Sequence, residues 1–299
     1  MFGIKSHSLG PFITQVTGSD ANGIPCLVTS RRHRKSLQPL LLLDAERRFH
    51  EALPRKIWTR LWAPAELSWW LALAFLTGSS LFTLGAAIAL FPSFLSPWWH
   101  LSIVNNLVFV IGSVFFTIGG TLQWLQSVNA NLDQILKGSD SGPIRWRWFG
   151  FHPTNLGYMA SLVQLVGTIL FNFDTADALF RSISSTEENL IIWSPDLVGS
   201  ICFLLSSGLS YLEAVHRLGY FKFKDMTLWI VMLNLLGSIF FQTSACADFF
   251  LTKVSLWWAF GCNGGTFLGG AAFLIASYLL IPESREEAGR VEQSTPKST

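Results

Sequence analysis

The chain has 299 residues, half of them hydrophobic and only 13% charged, with 25 Phe, 13 Trp and a formal net charge of +2. It is too apolar and too aromatic for an ordinary soluble domain of this length, and so small a net charge says little about partners. Charge-poor runs of 18 or more residues alternate with short charged intervals, and a run of that length crosses the roughly 30 Å hydrocarbon core as a helix. The class expected is an all-α polytopic membrane protein.

Residues 1–63 come first, as a basic segment expected in the cytoplasm. Residues 1–35 hold no apolar core of signal-peptide length, so the first span is expected to start insertion. "RRHRK" (31–35) precedes "PRKIWTRLWAP", where Ile57, Trp58, Leu61 and Trp62 interleave with Lys56 and Arg60. That pattern predicts an amphipathic helix lying in the interface against anionic lipid head groups. Charge alone would also allow nucleic-acid binding, but a spanning helix follows directly, and membrane-surface anchoring is preferred.

Six spans follow, over about 65–91, 101–126, 155–173, 195–214, 226–246 and 256–281, which places the transmembrane domain at 64–283. Phrases such as "LVFVIGSVFFTIGG" are apolar on every side, whereas barrel strands would alternate in polarity. Nineteen of the 21 Lys and Arg fall in the N-terminal segment, the second-to-third and fourth-to-fifth loops and the C-terminal tail; only Arg181 and Lys253 fall on the other side. This bias puts both termini in the cytoplasm of a multi-pass protein, with the identity of the membrane left open. Trp pairs at 69/70, 98/99 and 257/258 stand near predicted helix ends, as interfacial belts do. The tail, 284–299, has a disordered composition.

The spans share phrases. "GSSLF", "GTILF" and "GSIFF" in the odd spans, and "GSVFFTIGGTLQWLQ", "GSICFLLSSGLSYLE" and "GGAAFLIASYLLIPE" in the even ones, each place Phe four after a Gly, with Ser or Thr next to that Gly in all but the last. These phrases predict three repeated two-helix hairpins, about 65–126, 155–214 and 226–281, inserted in the same direction about a pseudo-threefold axis along the membrane normal. Gly78, Gly112, Gly167, Gly199, Gly237, Gly261, Gly265 and Gly269 are expected to pack helices closely, because lipid supplies no hydrophobic force between spans. "GCNGGTFLGG" (261–270) matches neither a Walker loop nor a dinucleotide fingerprint, since no Lys-Ser/Thr follows and the G-x-G spacing is missing.

The even-span phrases, above all "GSVFFTIGGTLQWLQSVN", resemble the YrhK-like domain, a short two-helix membrane module. The later stretches are similar to longer bacterial and fungal membrane proteins that carry it. The resemblance covers roughly residues 65–283 and implies an integral membrane fold, with no activity and no site residues.

Polar groups at depth carry whatever function is legible. Gln164 and Asn234, three before the shared Gly, and Asn172 and Gln242, five after it, form a stripe on the third and fifth spans; Asn106 and Asn263 are related in the same way on the second and sixth. Interhelical hydrogen bonds are the plainer reading and a lined cavity the sharper one. Asp174, Asp177, Asp196 and Asp248 stand at the outward ends, where they form either an acidic vestibule that gathers cations or acids simply tolerated outside. Glu213 and Glu283, with Gln126 as their third equivalent, are expected to be solvated at the interface. Cys26, Cys202, Cys246 and Cys262 show no metal-like spacing, and no disulfide, metal, cofactor or catalytic residue is expected. The function expected is a small-solute or ion permease or channel-like protein, not an enzyme. The alternative is a membrane scaffold or assembly factor that binds partner helices, and a homo-oligomer fits either reading.

Overall fold

The computed structural model describes residues 5–19, 25–34, 40–41, 61–92, 101–130, 146–180, 194–215, 226–251 and 255–294. Six helices in it are long and apolar enough to cross a membrane: Leu67–Leu90, Ser102–Val128, Leu156–Ala176, Ser194–Val215, Met226–Phe250 and Leu256–Glu283. Each agrees with its predicted span to within a few residues, because charge-poor length is the strongest signal such a sequence carries.

The N-terminal segment is not merely a basic leader to the membrane. β1 (Lys5–Leu9), β2 (Phe12–Ser19), β3 (Pro25–Thr29) and β4 (Leu40–Leu41) form an antiparallel meander in the order β1-β2-β3-β4. Gly10, at φ 59°, turns β1 into β2 where a side chain would be strained, and Thr14 and Val16 bury one face of β2. β3 runs straight into α1 (Ser30–Arg34). The expectation of an all-α chain therefore holds for the spans, and a small sheet precedes them. The predicted amphipathic helix falls mostly outside the described residues, and Leu61–Glu66 lead into the first span without helix.

The spans are α2 (Leu67–Leu90), α3 (Leu101–Val128), α4 (Leu156–Phe180), α5 (Ser194–Val215) and α6 (Met226–Phe250), with the sixth assembled from three pieces. α7 (Leu256–Ala259) passes through a π-helical turn, Phe260–Gly264, into α8 (Gly265–Ser294). α8 runs on through most of the tail that composition leaves unstructured. Its nucleus is already formed within the span, so extension adds one bond per residue, and Glu286 and Arg290 have the i, i+4 spacing that supports it.

The six spans close into a ring in chain order, with the sixth against the first. Glycine makes the closest crossings. A Cβ on Gly78 would stand 3.0 Å from the Gly112 carbonyl oxygen, one on Gly167 3.0 Å from that of Gly199, and one on Gly237 3.1 Å from that of Gly269. Gly261, Gly265 and Gly269 all face the fifth span, meeting Ala247, Phe240 with Ser244, and Phe241 respectively. Gly270 meets Thr83 and seals the ring. Hydroxyl pairs add to the ring: Ser113 with Thr175 at 2.9 Å and Ser127 with Ser161 at 2.7 Å join the second and third spans, Ser207 with Ser238 at 2.6 Å joins the fourth and fifth, and Ser244 with Thr266 at 2.7 Å joins the fifth and sixth. Leu84, Ile111, Val166, Ile201, Leu236 and Ile275 are exposed on the outside of the ring, where lipid would solvate them.

Gly167→Ala is expected to destabilise the protein by about 1–3 kcal/mol, because the backbone oxygen its methyl would meet has no rotamer to adopt. Gly208→Ala, with nothing within 4 Å, should be neutral or slightly stabilising, since Ala is the better helix former. Thermal inactivation in detergent compares the two.

Candidate functional site: two axial cavities and an aromatic layer

Each shared Gly places a Phe one turn further along its span, and the close crossings aim all six rings at the ring axis. Phe82, Phe171 and Phe241 of the odd spans form one triangle, with centroids 6.3, 6.0 and 5.8 Å apart. Phe116, Phe203 and Phe273 of the even spans form a second, with sides of 6.1, 5.9 and 6.1 Å. The two triangles touch at 5.2 Å between the first and second spans, 5.0 Å between the third and fourth and 5.3 Å between the fifth and sixth. All six rings are buried, and Leu71 and Phe75 join them. The contacts are mostly edge-to-face, with Phe171 stacked on Phe82 and Phe203 and the remaining pairs tilted. A two-tiered apolar layer crosses the middle of the ring.

On the face opposite the N-terminal module, a cavity of about 190 Å³ opens above this layer. Phe82, Phe171 and Phe241 are its floor, and Asn106, Asp174, Asp196, Asp248, Asn263 and Thr266 stand on its walls. Pro195 opens the fourth span and puts Asp196 in its first turn, where the helix dipole favours a carboxylate. Asp248 accepts a hydrogen bond from the Trp258 indole at 2.8 Å. The π-helical turn lets Cys262 and Asn263 both reach the wall, and Ser244 donates to the Cys262 carbonyl at 2.8 Å. Such turns recur at functional sites, and nothing in the glycine pattern signalled this one. Asp177 lies in α4, but its side chain is outside the described residues. Among the described residues no three His, Cys, Asp or Glu side chains group closely enough to hold a metal ion. The three aspartates therefore line a space and do not form a chelate.

Below the layer, a second cavity of about 60 Å³ opens toward the N-terminal module. Gln126, Gln164, Ser207, Ser210, Asn234 and Ser277 supply polar walls, and Phe75 and Phe273 lie on the layer side. Both volumes exceed the roughly 10–15 Å³ that one water needs, and both walls offer it partners.

The predicted polar stripe therefore divides by depth. Gln164 and Asn234 face the inner cavity. Asn172 and Gln242 line neither of these two cavities and bond to neighbouring spans. Asn172 donates to Thr117 of the second span at 2.8 Å, and Gln242 accepts from Ser200 of the fourth at 3.2 Å and donates to Cys246 at 3.3 Å. Asn106 and Asn263 face the outer cavity. The two readings weighed for the stripe, cavity and seam, each describe part of it.

Glu213 and Glu283 depart from expectation. They are buried, at 0% and 3% exposure, and they are not solvated at the interface. Arg34 donates to Glu213 at 2.7 Å and Ser30 to the same carboxylate at 2.9 Å. Arg31 contacts both oxygens of Glu283 at 3.1 and 3.2 Å, and Thr227 adds a bond at 2.7 Å. Gln126, the third equivalent, donates to Ser68 at 2.7 Å. Two arginines of the basic run thus enter the protein, where lipid head groups were expected to hold them. Their spacing of three, which puts both on one side of a helix, is the sequence signal that could have found them.

Compared with protein-family models, with curated proteins and with solved structures, the chain matches none. The site has to be read from its own geometry. The eight glycines named from the sequence are all engaged by spans of the same chain. Among the described residues the aromatic side chains between the two cavities are hydrocarbon rings of Phe, so the arrangement sets a polar-walled space on either side of an apolar layer.

Proposed function

We propose that the protein is a conduit for small polar solutes or cations, a permease or channel-like protein and not an enzyme. The observation that supports this most is the pair of polar cavities on one axis, separated only by the two Phe triangles. A hydrophobic constriction of this kind gates by dewetting, and polar or acidic mouths raise the local concentration of what passes. In this reading the three hairpins are one unit used three times about a pseudo-threefold axis, and the matched Gly–Gly crossings and near-equal triangle sides support that. Both termini are placed in the cytoplasm by the Lys and Arg bias, which makes the larger, acidic cavity the external one. The likeness to the YrhK-like domain, which carries no activity with it, adds only that such two-helix modules build membrane proteins.

The scaffold alternative needs free glycine faces for partner helices. The faces named for it are filled from within the chain, so no observation favours it.

The test is flux into proteoliposomes, using monovalent cations and small neutral polar solutes. Gln164→Leu and Asn234→Leu remove polar wall from the inner cavity and should reduce the flux of the accepted class by about tenfold, the loss expected when a desolvated species meets no partner. No flux of any tested class, from the native chain or from a folded variant with a polar residue in the Phe layer, would sink the conduit reading.

A further inference from the structure

The inner cavity has walls from all six spans, and it also has two from outside them, Arg31 and Arg34. Both arrive on α1, the five-residue helix that leaves the N-terminal sheet. We propose that the N-terminal module is a tethered stopper: Arg31 and Arg34 close the inner mouth by pairing with Glu283 and Glu213, and withdrawal of α1 opens it.

Charge matching is the first argument. Of the three equivalent positions at the ends of the even spans, two are carboxylates and one is an amide. Each carboxylate receives one guanidinium, while Gln126 bonds within the spans. A buried carboxylate is stable when paired and fully hydrogen-bonded, so α1 and the two acids belong to one device. Steric fit is the second. A Cβ on Gly157, at the start of the third span, would collide with the Glu213 carboxylate and stand 2.8 Å from Arg34 Nε. The bare backbone there makes the room that the guanidinium enters. Attachment is the third. The main contacts of the module with the spans are those of α1 with the third and fourth and of β2 with the third, and the bonds that seat it are polar. Small polar interfaces between parts of one chain permit relative motion, whereas the spans are locked by close helix crossings. Without α1, two carboxylates would line the mouth and attract cations.

The docking claim does not depend on transport; its inhibitory role rests on the conduit reading. The experiment therefore reads accessibility. Ser210→Cys, in a chain whose four native cysteines are replaced, is probed with a small cationic methanethiosulfonate from the N-terminal side. The comparison variant carries Arg31→Gln, Arg34→Gln, Glu213→Gln and Glu283→Gln, which removes the clamp without stranding a charge. Labelling should be slow with the clamp present and rise about tenfold or more without it, as expected when a docked element is released to an open population. Thr266→Cys in the outer cavity, probed from the opposite face, should label equally in both, showing that the spans are unchanged. Exchanging the charges, with Arg at 213 and 283 and Glu at 31 and 34, should restore protection. If the fourfold variant does not fold, Gly157→Leu dislodges Arg34 by bulk with every charge retained, and should give the same rise. Equal Ser210→Cys labelling with and without the clamp, or no rise with Gly157→Leu, overturns the stopper. Raised labelling with no flux keeps the stopper and removes the conduit; flux with unchanged labelling does the reverse.

Discussion

Glu213→Ala should destabilise the protein by about 3–5 kcal/mol, the range for removing one partner of a buried ion pair. Glu213 has no exposed surface, and Arg34, its partner, is 4% exposed. Deleting the carboxylate leaves a buried guanidinium without its counter-charge, and leaves the Ser30 hydroxyl without its acceptor. The guanidinium cannot shed its proton, so it must either stay uncompensated or pull α1 out of the mouth. The second route lowers the loss, which sets the lower end of the range. Arg34→Gln combined with Glu213→Gln should recover most of the stability, because two amides of similar size replace the pair and no charge is stranded. Thermal unfolding in detergent, followed by loss of the monodisperse peak, measures both. A single Glu213→Ala that unfolds like the native chain would mean that the pair carries no weight.

Phe203→Ala should cost about 3 kcal/mol, toward the low end for large-to-small changes at an aromatic. Phe203 is 1% exposed and touches Phe171 at 5.0 Å, Phe273 at 5.9 Å, Phe116 at 6.1 Å and Phe241 at 6.4 Å. In lipid the unfolded spans keep their apolar surroundings, so the loss is mainly dispersion and aromatic geometry and little of it is hydrophobic transfer. That is why the low end is chosen. Phe203→Asn should do something different in kind. An amide in the even triangle gives water a partner where the axis is driest, and passage of small ions should rise above that of the native chain while Phe203→Ala changes it less. Stability and flux measured on the two variants separate packing from gating.

Much of this architecture was legible in the residues. Span positions follow from charge-poor length and the shared Gly of the six phrases marks the crossing points, because both are local patterns; the shared Phe marks the repeat, but that its rings meet on one axis depends on how the spans close. The cavities were legible only as a stripe. Gln164 and Asn172 stand eight apart on one helix and share a sequence logic, yet one faces a cavity and the other a seam, since the difference depends on which neighbouring span lies beside each. The pairing of Glu213 and Glu283 with Arg34 and Arg31 was illegible for a related reason. It joins residues 179 and 252 positions apart, and the sheet that delivers them went unread although "FITQVTGS" and "PCLVT" are β-branched runs separated by an Asp-Ala-Asn-Gly turn signal.

The claim that a water-filled outer cavity ends at a sealing aromatic layer is tested most directly by single-cysteine accessibility at Asn263→Cys and Thr266→Cys. A small water-soluble thiol reagent should label both from the face opposite the N-terminal module, at rates close to those of an exposed loop control, and should label neither from the N-terminal face while the Phe triangles are intact. Silence at both positions from both faces, with the loop control reacting, would mean that the polar walls are a dry packing seam. Equal labelling from the two faces would mean that six phenylalanine rings do not close the axis.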